Sequence, residues 1–114
     1  MPRRGEIWTV DFDPTKGAEI QKKRPAIVIS SDAIGKLPLK LVAPVTNWSP
    51  AFENNLWHIR LEPNSTNGLS KTSAADALQI RSISVDRFLV RLGRVSQQEL
   101  EEIVQAVAAV IELA

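Results

Sequence analysis

The run Pro25-Ala26-Ile27-Val28-Ile29-Ser30 is apolar along most of its length and rich in β-branched side chains. Such residues are stiff and favour an extended chain, and a run with no polar alternation reads as a strand covered on both faces. A chain holding that strand has to supply cover on two sides of a sheet. With 114 residues, 44% of them hydrophobic, it has the material for one real core, and a single domain over residues 1–114 is expected.

The pattern around this strand indicates what supplies the cover. Glu6-Ile7-Trp8-Thr9-Val10-Asp11-Phe12 alternates, with Trp8, Val10 and Phe12 on one face, and reads as a half-buried strand. Between the two strands lies Asp13 to Lys23, rich in turn formers and lysine, a long loop for a hairpin. Ser31-Asp32-Ala33 suggests a short turn or cap. Leu39 to Thr46 gives a third strand, whose Pro44 removes a ladder donor and suggests an edge position or a bulge. Further strands are expected at Leu56–Leu61, Thr72–Asp76, Leu78–Ile83 and Val90–Val95, with the turn cluster Pro63–Gly68 among them. The period then changes. Ser96 and Glu99 make a capping-box pattern, and Leu100, Ile103, Val104, Val107, Val110 and Ile111 recur at helical spacing, so an amphipathic helix of about 17 residues follows. Strands closed by one terminal helix point to a mainly β fold, a small barrel with helical cover.

Composition narrows the chemistry. The absence of cysteine excludes thiol nucleophiles, Cys-ligated zinc and iron–sulfur clusters, and fits a reducing compartment. No run of about 18 apolar residues suggests a membrane span, and Arg3-Arg4 is not followed by the apolar core of a signal peptide, so a cytoplasmic location is expected. Fourteen basic against thirteen acidic side chains leave a formal charge of +1. Nucleic-acid binding by bulk charge is thereby disfavoured, and any such role rests on local clustering.

Three constellations are chemically suggestive. Asp11, Asp13 and Glu19 meet the minimum for an oxygen-ligated metal, but Asp13-Pro14 reads rather as a turn start with Asp11 on a solvated face, and no metal site is expected. His58 has no second histidine or cysteine beside it and reads as a packing residue. Lys22-Lys23-Arg24-Pro25 is more informative. Pro25 holds Arg24 extended, and its guanidinium is either a planar fork for phosphate or a solvated gatekeeper beside an aggregation-prone strand. Thr46, at the end of another apolar run and followed by Asn47, is either a functional hydroxyl or a structural cap.

The residues that carry these constellations also carry a resemblance. Arg4-Gly5-Glu6-Ile7-Trp8, Asp11-Phe12-Asp13-Pro14, the stretch Gly17 to Ser30 with its Lys-Lys-Arg-Pro-Ala core, Pro44-Val45-Thr46, and Ala77-Leu78-Gln79-Ile80-Arg81-Ser82-Ile83 resemble the MazF/PemK family. Members of that family are the toxin halves of bacterial toxin–antitoxin pairs.

The resemblance implies an SH3-like small β-barrel of the CcdB/MazF kind, a homodimer, and a metal-independent, sequence-specific endoribonuclease acting on single-stranded RNA, usually mRNA. The RNA's own 2′-hydroxyl would attack, leaving a 2′,3′-cyclic phosphate and a 5′-hydroxyl, with no cofactor. By similarity the catalytic pair is Arg24 and Thr46. Some plasmid-encoded relatives use a histidine in the first loop and an aspartate shortly before the Gln-x-Arg motif; the corresponding positions here are Ala18 and Leu78. RNA is expected over the first loop at Lys16, Glu19, Gln21, Lys22 and Lys23, beside Asn47, and near Gln79 and Arg81. Trp48 and Phe52 are candidate stacking surfaces. The expected protein partner is a MazE-like acidic antitoxin that folds on binding. The alternative is a CcdB-like toxin that binds DNA gyrase through a C-terminal Trp-Gly-Ile end, whereas this chain ends Val110-Ile111-Glu112-Leu113-Ala114. Lys16, Lys22, Lys23, Arg24 and Arg81 on one face, with Glu99, Glu101 and Glu102 on the terminal helix, would hide a polarised surface behind the +1 average.

Overall fold

The computed structural model describes residues 1–113. Ala114, the last residue of the C-terminal stretch and of the expected domain, lies outside the described residues. Seven strands follow one another as β1 (Glu6–Asp11), β2 (Lys23–Val28), β3 (Leu39–Asn47), β4 (His58–Leu61), β5 (Ser73–Asp76), β6 (Arg81–Ser84) and β7 (Phe88–Arg94), and the helix α1 (Gln97–Val110) closes the sequence. All pairings are antiparallel, in the order β4-β5-β3-β2-β1-β7, with β6 also paired to β3. Short 3₁₀ turns at Asp32–Ile34, Pro50–Phe52 and Val85–Arg87 each begin on a serine whose hydroxyl accepts a backbone N–H.

β2 is covered on both faces, as its composition requires. Ile27 and Ile29 point into one cluster with Ile7, Val45, Leu61 and the helix residues Leu100 and Ile103. Ala26 and Val28 point into a second, with Val10, Phe12, Val42 and Ile83, against which Ile20 of the first loop packs. Helix and loop therefore cover opposite faces of one sheet. β1 is more enclosed than its alternation implies, because Ile7 is buried on the helix side while Val10 and Phe12 are buried on the loop side. The same arrangement puts the lysine-bearing loop and Glu101 and Glu102 of α1 on different sides of the sheet.

Several boundaries differ from expectation for identifiable reasons. β3 is a central strand, not an edge. Ile29 donates its N–H to the Leu41 carbonyl, which makes Ile29/Leu41 and Ile27/Ala43 the hydrogen-bonded pairs of the β2–β3 ladder. Pro44, opposite Ala26, therefore turns its missing N–H away from β2. On that side β3 pairs with β6 through Val42 and with β5 from Val45, so the proline sits where no ladder bond is required. The expected strand Leu78–Ile83 shrinks to β6, because the Asp76 carboxylate accepts from the Leu78 and Gln79 amides and bends the chain into a turn. α1 opens with the Ser96/Glu99 capping box and stops after 14 residues. Glu112 is left-handed (φ 58), and the Glu112 and Leu113 amides return to the Ala109 and Ala108 carbonyls in a Schellman ending.

The sheet is not fully closed into a barrel: β4 and β7 end its main path, and β6 pairs with β3 alone. The loop after β4 spans the gap, with Arg94 N–H donating to the Thr66 carbonyl at 2.9 Å. Two glycines permit that approach. A Cβ on Gly93 would overlap the Thr66 carbonyl oxygen, and one on Gly68 (φ 67) the Leu92 carbonyl oxygen. Gly93→Ala is expected to cost about 1–3 kcal/mol or more through forced backbone shifts, read as a lowered urea midpoint; an unchanged midpoint would contradict the backbone seam.

At the start of the chain, Glu6 ties three segments together. Its carboxylate accepts from the Arg3 amide (2.8 Å), the Trp8 indole (3.1 Å) and the Arg91 guanidinium (2.8 Å). Burial pushes the carboxyl up, but those donors outweigh it and hold Glu6 below the ordinary 4.5. Because the folded pKa is the lower one, this stabilisation is complete above the unfolded value and is lost as pH falls through the folded one. Thermal melts across the acid range should show a shallower loss for Glu6→Gln than for the parent; parallel acid limbs would exclude this linkage.

Candidate functional site

The site begins where β2 and β3 part. Their ladder ends at Ala26/Pro44, and two residues further along that register Arg24 faces Thr46. By then β3 has turned to β5, with Thr46 opposite Ala74 and Asn47 opposite Ser73, while Arg24 still pairs with Val10 of β1. The divergence opens a cleft of about 360 Å³. Arg24, Thr46, Asn47, Ser70, Lys71 and Ser73 supply its polar lining, and Pro25, Val45, Leu69 and Leu92 its apolar walls. A guanidinium, an ammonium, hydroxyls and an amide thus converge, and among the described residues no carboxylate lines the cleft. Neither Arg24 nor Lys71 forms an ion pair among the described residues. An anion entering the cleft meets donors that do not have to be released from acidic partners.

The first loop, residues 12–22, is fastened to the sheet at many points. Asp13 Oδ1 accepts from the Lys22 amide at 2.9 Å and the Thr15 hydroxyl at 3.4 Å, and Phe12 N–H donates to the Lys22 carbonyl at 3.0 Å. These bonds hold Lys22 in a left-handed conformation (φ 68). Arg87 donates to the Asp11 and Asp13 carbonyls, and Arg81 to that of Phe12 at 3.3 Å, with its guanidinium over the Phe12 ring. Gln79 clasps the loop tip, its Oε1 accepting from Ile20 N–H at 2.6 Å and its Nε2 donating to the Ala18 carbonyl at 3.4 Å. A second groove of about 560 Å³ runs beside this clasp between the loop tip, Pro44 and Leu78 to Arg81.

The sequence-predicted residues therefore divide. Arg24, Thr46 and Asn47 share the cleft. Glu19, Gln79 and Arg81 share the second groove, where Gln79 and Arg81 already brace the loop. Lys16, Gln21, Lys22 and Lys23 are exposed along the loop and its exit, outside both linings. The three acids weighed as metal ligands are engaged locally: Asp11 accepts from the Asp13 amide, Asp13 from Lys22, and Glu19 from the Lys16 amide at 2.6 Å. Among the described residues no three histidine or acidic side chains gather into a metal-binding group.

His58 packs, as its isolation suggests, with its ring stacked on Phe52 at 3.8 Å. The Asn55 amide lies 3.2 Å from Nδ1, and Nε2 faces Asp76 Oδ2 at 3.5 Å. Asp76 in turn caps the turn that presents Gln79 to the loop. The expected stacking surfaces have partners of their own, with Arg60 over Trp48 and His58 against Phe52. Sequence reasoning missed Ser70, Lys71 and Ser73 in the cleft. The available signal was a polar Ser-Lys-Thr-Ser run directly after the Pro63–Gly68 turn cluster.

No helix among the described residues is long and apolar enough to cross a membrane. Residues 3–111 match the family model described as the PemK-like, MazF-like toxin of type II toxin–antitoxin systems. The chain is 38% identical to endoribonuclease MazF9 of Mycobacterium tuberculosis over 99% of its own length and 98% of that protein's. Among solved structures, it superposes with a TM-score of 0.79 on a mycobacterial endoribonuclease in complex with its cognate antitoxin, at 19% identity and covering 100% and 98% of the two chains. MazF of Deinococcus radiodurans gives the same TM-score at 24% identity, with 97% and 96% covered.

The clasp on the first loop is directly measurable. Gln79→Ala should leave the Ile20 amide without its acceptor, so that it exchanges with solvent about tenfold or more faster while the Ile27 amide in β2 is unaffected. Unchanged protection at Ile20 would show that Gln79 does not hold the loop.

Proposed function

The chain belongs to the family of PemK-like, MazF-like toxins of type II toxin–antitoxin systems, and from that premise we propose that it is an endoribonuclease toxin cutting single-stranded mRNA at the Arg24/Thr46 cleft. The observation that carries this reading is that Arg24 and Thr46 line one cleft beyond the end of the β2/β3 ladder, rich in donors and lined by no carboxylate among the described residues. Such a lining suits a phosphodiester and the further negative charge that develops on it during cleavage.

The ribose 2′-hydroxyl attacks the adjacent phosphorus, the bond to the 5′-oxygen breaks, and the products are a 2′,3′-cyclic phosphate and a 5′-hydroxyl. The 2′-hydroxyl loses a proton and the departing 5′-oxygen gains one. Arg24 stabilises the charge on the phosphorane, a role suited to a group that stays protonated at any working pH. The Thr46 hydroxyl orients the phosphate. The reaction uses no metal and no cofactor, because the substrate supplies the nucleophile and the guanidinium supplies the positive charge. RNA lies across the loop at Lys16, Glu19, Gln21, Lys22 and Lys23, past Asn47, and along the groove beside Gln79 and Arg81, where base edges are read. Supporting this path, the loop is braced on the sheet and carries its lysines exposed.

The protein acts in the cytoplasm as a homodimer and one toxin domain, held in check by a MazE-like antitoxin whose acidic segment covers the basic loop and adjoining grooves. Membership in a family of toxins of type II toxin–antitoxin systems supports the antitoxin partner. Gyrase binding of the CcdB kind is disfavoured, since relatives that match along nearly the whole chain are named endoribonucleases.

Purified protein is expected to cut single-stranded RNA in excess EDTA. Arg24→Ala should remain folded and lose roughly 10²–10³-fold or more in rate, the scale of removing one charge-stabilising donor. A strict demand for Mg²⁺, or undiminished cutting by Arg24→Ala, would overturn the mechanism.

A further inference from the structure

The first loop's lysines are not the cations that share the cleft with Arg24. The second cation in its lining is Lys71, which comes from the opposite wall. That wall is built to hold its shape. Asn67, buried to 1% exposure, accepts from the Asn64 and Leu69 amides and donates to the Glu62 carbonyl at 2.8 Å. On the other side of Lys71, the Ser73 hydroxyl donates to the Lys71 carbonyl at 2.8 Å and the Trp48 amide to the Thr72 carbonyl at 3.0 Å. The backbone carrying Lys71 is thus pinned both before and after it, beside Asn47.

The nearby acid is drawn elsewhere. Glu62, which would otherwise neutralise this wall, accepts from Arg60 Nε at 2.7 Å and from the Thr72 hydroxyl at 3.0 Å. Lys71 has no carboxylate partner among the described residues. An ordinary surface lysine is a gain to solubility wherever it points; this one is exposed and unpaired, on backbone held by hydrogen bonds, and lines a cleft that also carries the unpaired Arg24 guanidinium.

We propose that Lys71 is the second phosphate-binding residue of the cleft, holding the backbone phosphate next to the one that Arg24 engages, so that the RNA strand is gripped from both walls. The proposal rests on the endoribonuclease reading above and adds a residue to it. As a compact point charge, Lys71 positions the strand without reading its sequence. Its contribution is therefore to binding, uniform across RNA sequences and sensitive to salt.

Each phosphate contact made to a single strand contributes about 0.7 to the slope of log affinity against log salt. The test uses a single-stranded RNA made uncuttable by 2′-O-methyl groups, titrated in EDTA across a series of KCl concentrations. Lys71→Gln should bind about tenfold more weakly at low salt, with its slope reduced by about 0.7, while its melting temperature stays close to the parent's. Lys71→Arg should restore the slope. Lys36→Gln, in an exposed segment outside the cleft, should leave it unchanged. An unaltered slope for Lys71→Gln, or an equal reduction for Lys36→Gln, would overturn the proposal while leaving the nuclease reading intact. Failure of the parent protein to bind or cut RNA at all would remove both.

Discussion

Pro44 determines where the sheet can open. A residue without an N–H has to face that gap toward a place where no strand needs it, and β3 provides such a place at the point where it leaves β6 and joins β5. Because β3 bends to a new partner there, its ladder with β2 ends at Ala26/Pro44, and the next residues on the same face, Arg24 and Thr46, stand across a cleft instead of across a ladder. The wall opposite β2 is set by the loop that spans the unclosed edges, through the close approach of Gly68 and Gly93 to neighbouring backbone. The cleft is therefore a consequence of topology, framed by rigid strands and a tightly bonded loop. Such framing is what allows a few side chains to hold a reacting phosphate in one geometry.

Electrostatics follow from the same two-sided sheet. One face takes the helix with Glu101 and Glu102, and the other takes the loop with its exposed lysines, so a net charge of +1 coexists with cations clustered locally at the loop exit, Lys22, Lys23 and Arg24. The carboxylates near the loop are turned inward to its own amides, at Asp11, Asp13 and Glu19, and Glu62 is held by Arg60 and Thr72. Arg24 and Lys71 have no carboxylate partner among the described residues. A phosphodiester backbone answers that arrangement, and the membership of the chain in the PemK/MazF toxin family says what kind of backbone and to what end.

The legible parts of the sequence were those in which one local cause decides the outcome. The Ser96/Glu99 box of α1 appears where the pattern places it, and the β-branched run and the long first loop lie close to it, with β2 running two residues earlier, as Lys23–Val28. Pro44 misled because the rule for proline in a strand concerns a missing donor, and a central strand that changes partner satisfies it as well as an edge does. The turn at Asp76 replaced the first half of an expected strand through two side-chain bonds that no periodicity reveals. Arg24 and Thr46 were recognisable as a pair through the family resemblance alone; their composition permitted a gatekeeper and a cap. Lys71 was invisible for a related reason, since its importance comes from facing Arg24 across a fold and not from any neighbour in sequence.

At the centre of this account is a cleft that supplies charge and position while the substrate supplies the nucleophile. The most direct measurement replaces the single ribose at a mapped cut site with 2′-deoxyribose and follows cleavage at that linkage in EDTA. The account predicts that cutting stops there, while the modified strand still binds and competes with the unmodified RNA. Cleavage of the deoxy linkage at the normal rate would show that the nucleophile comes from elsewhere and would contradict it.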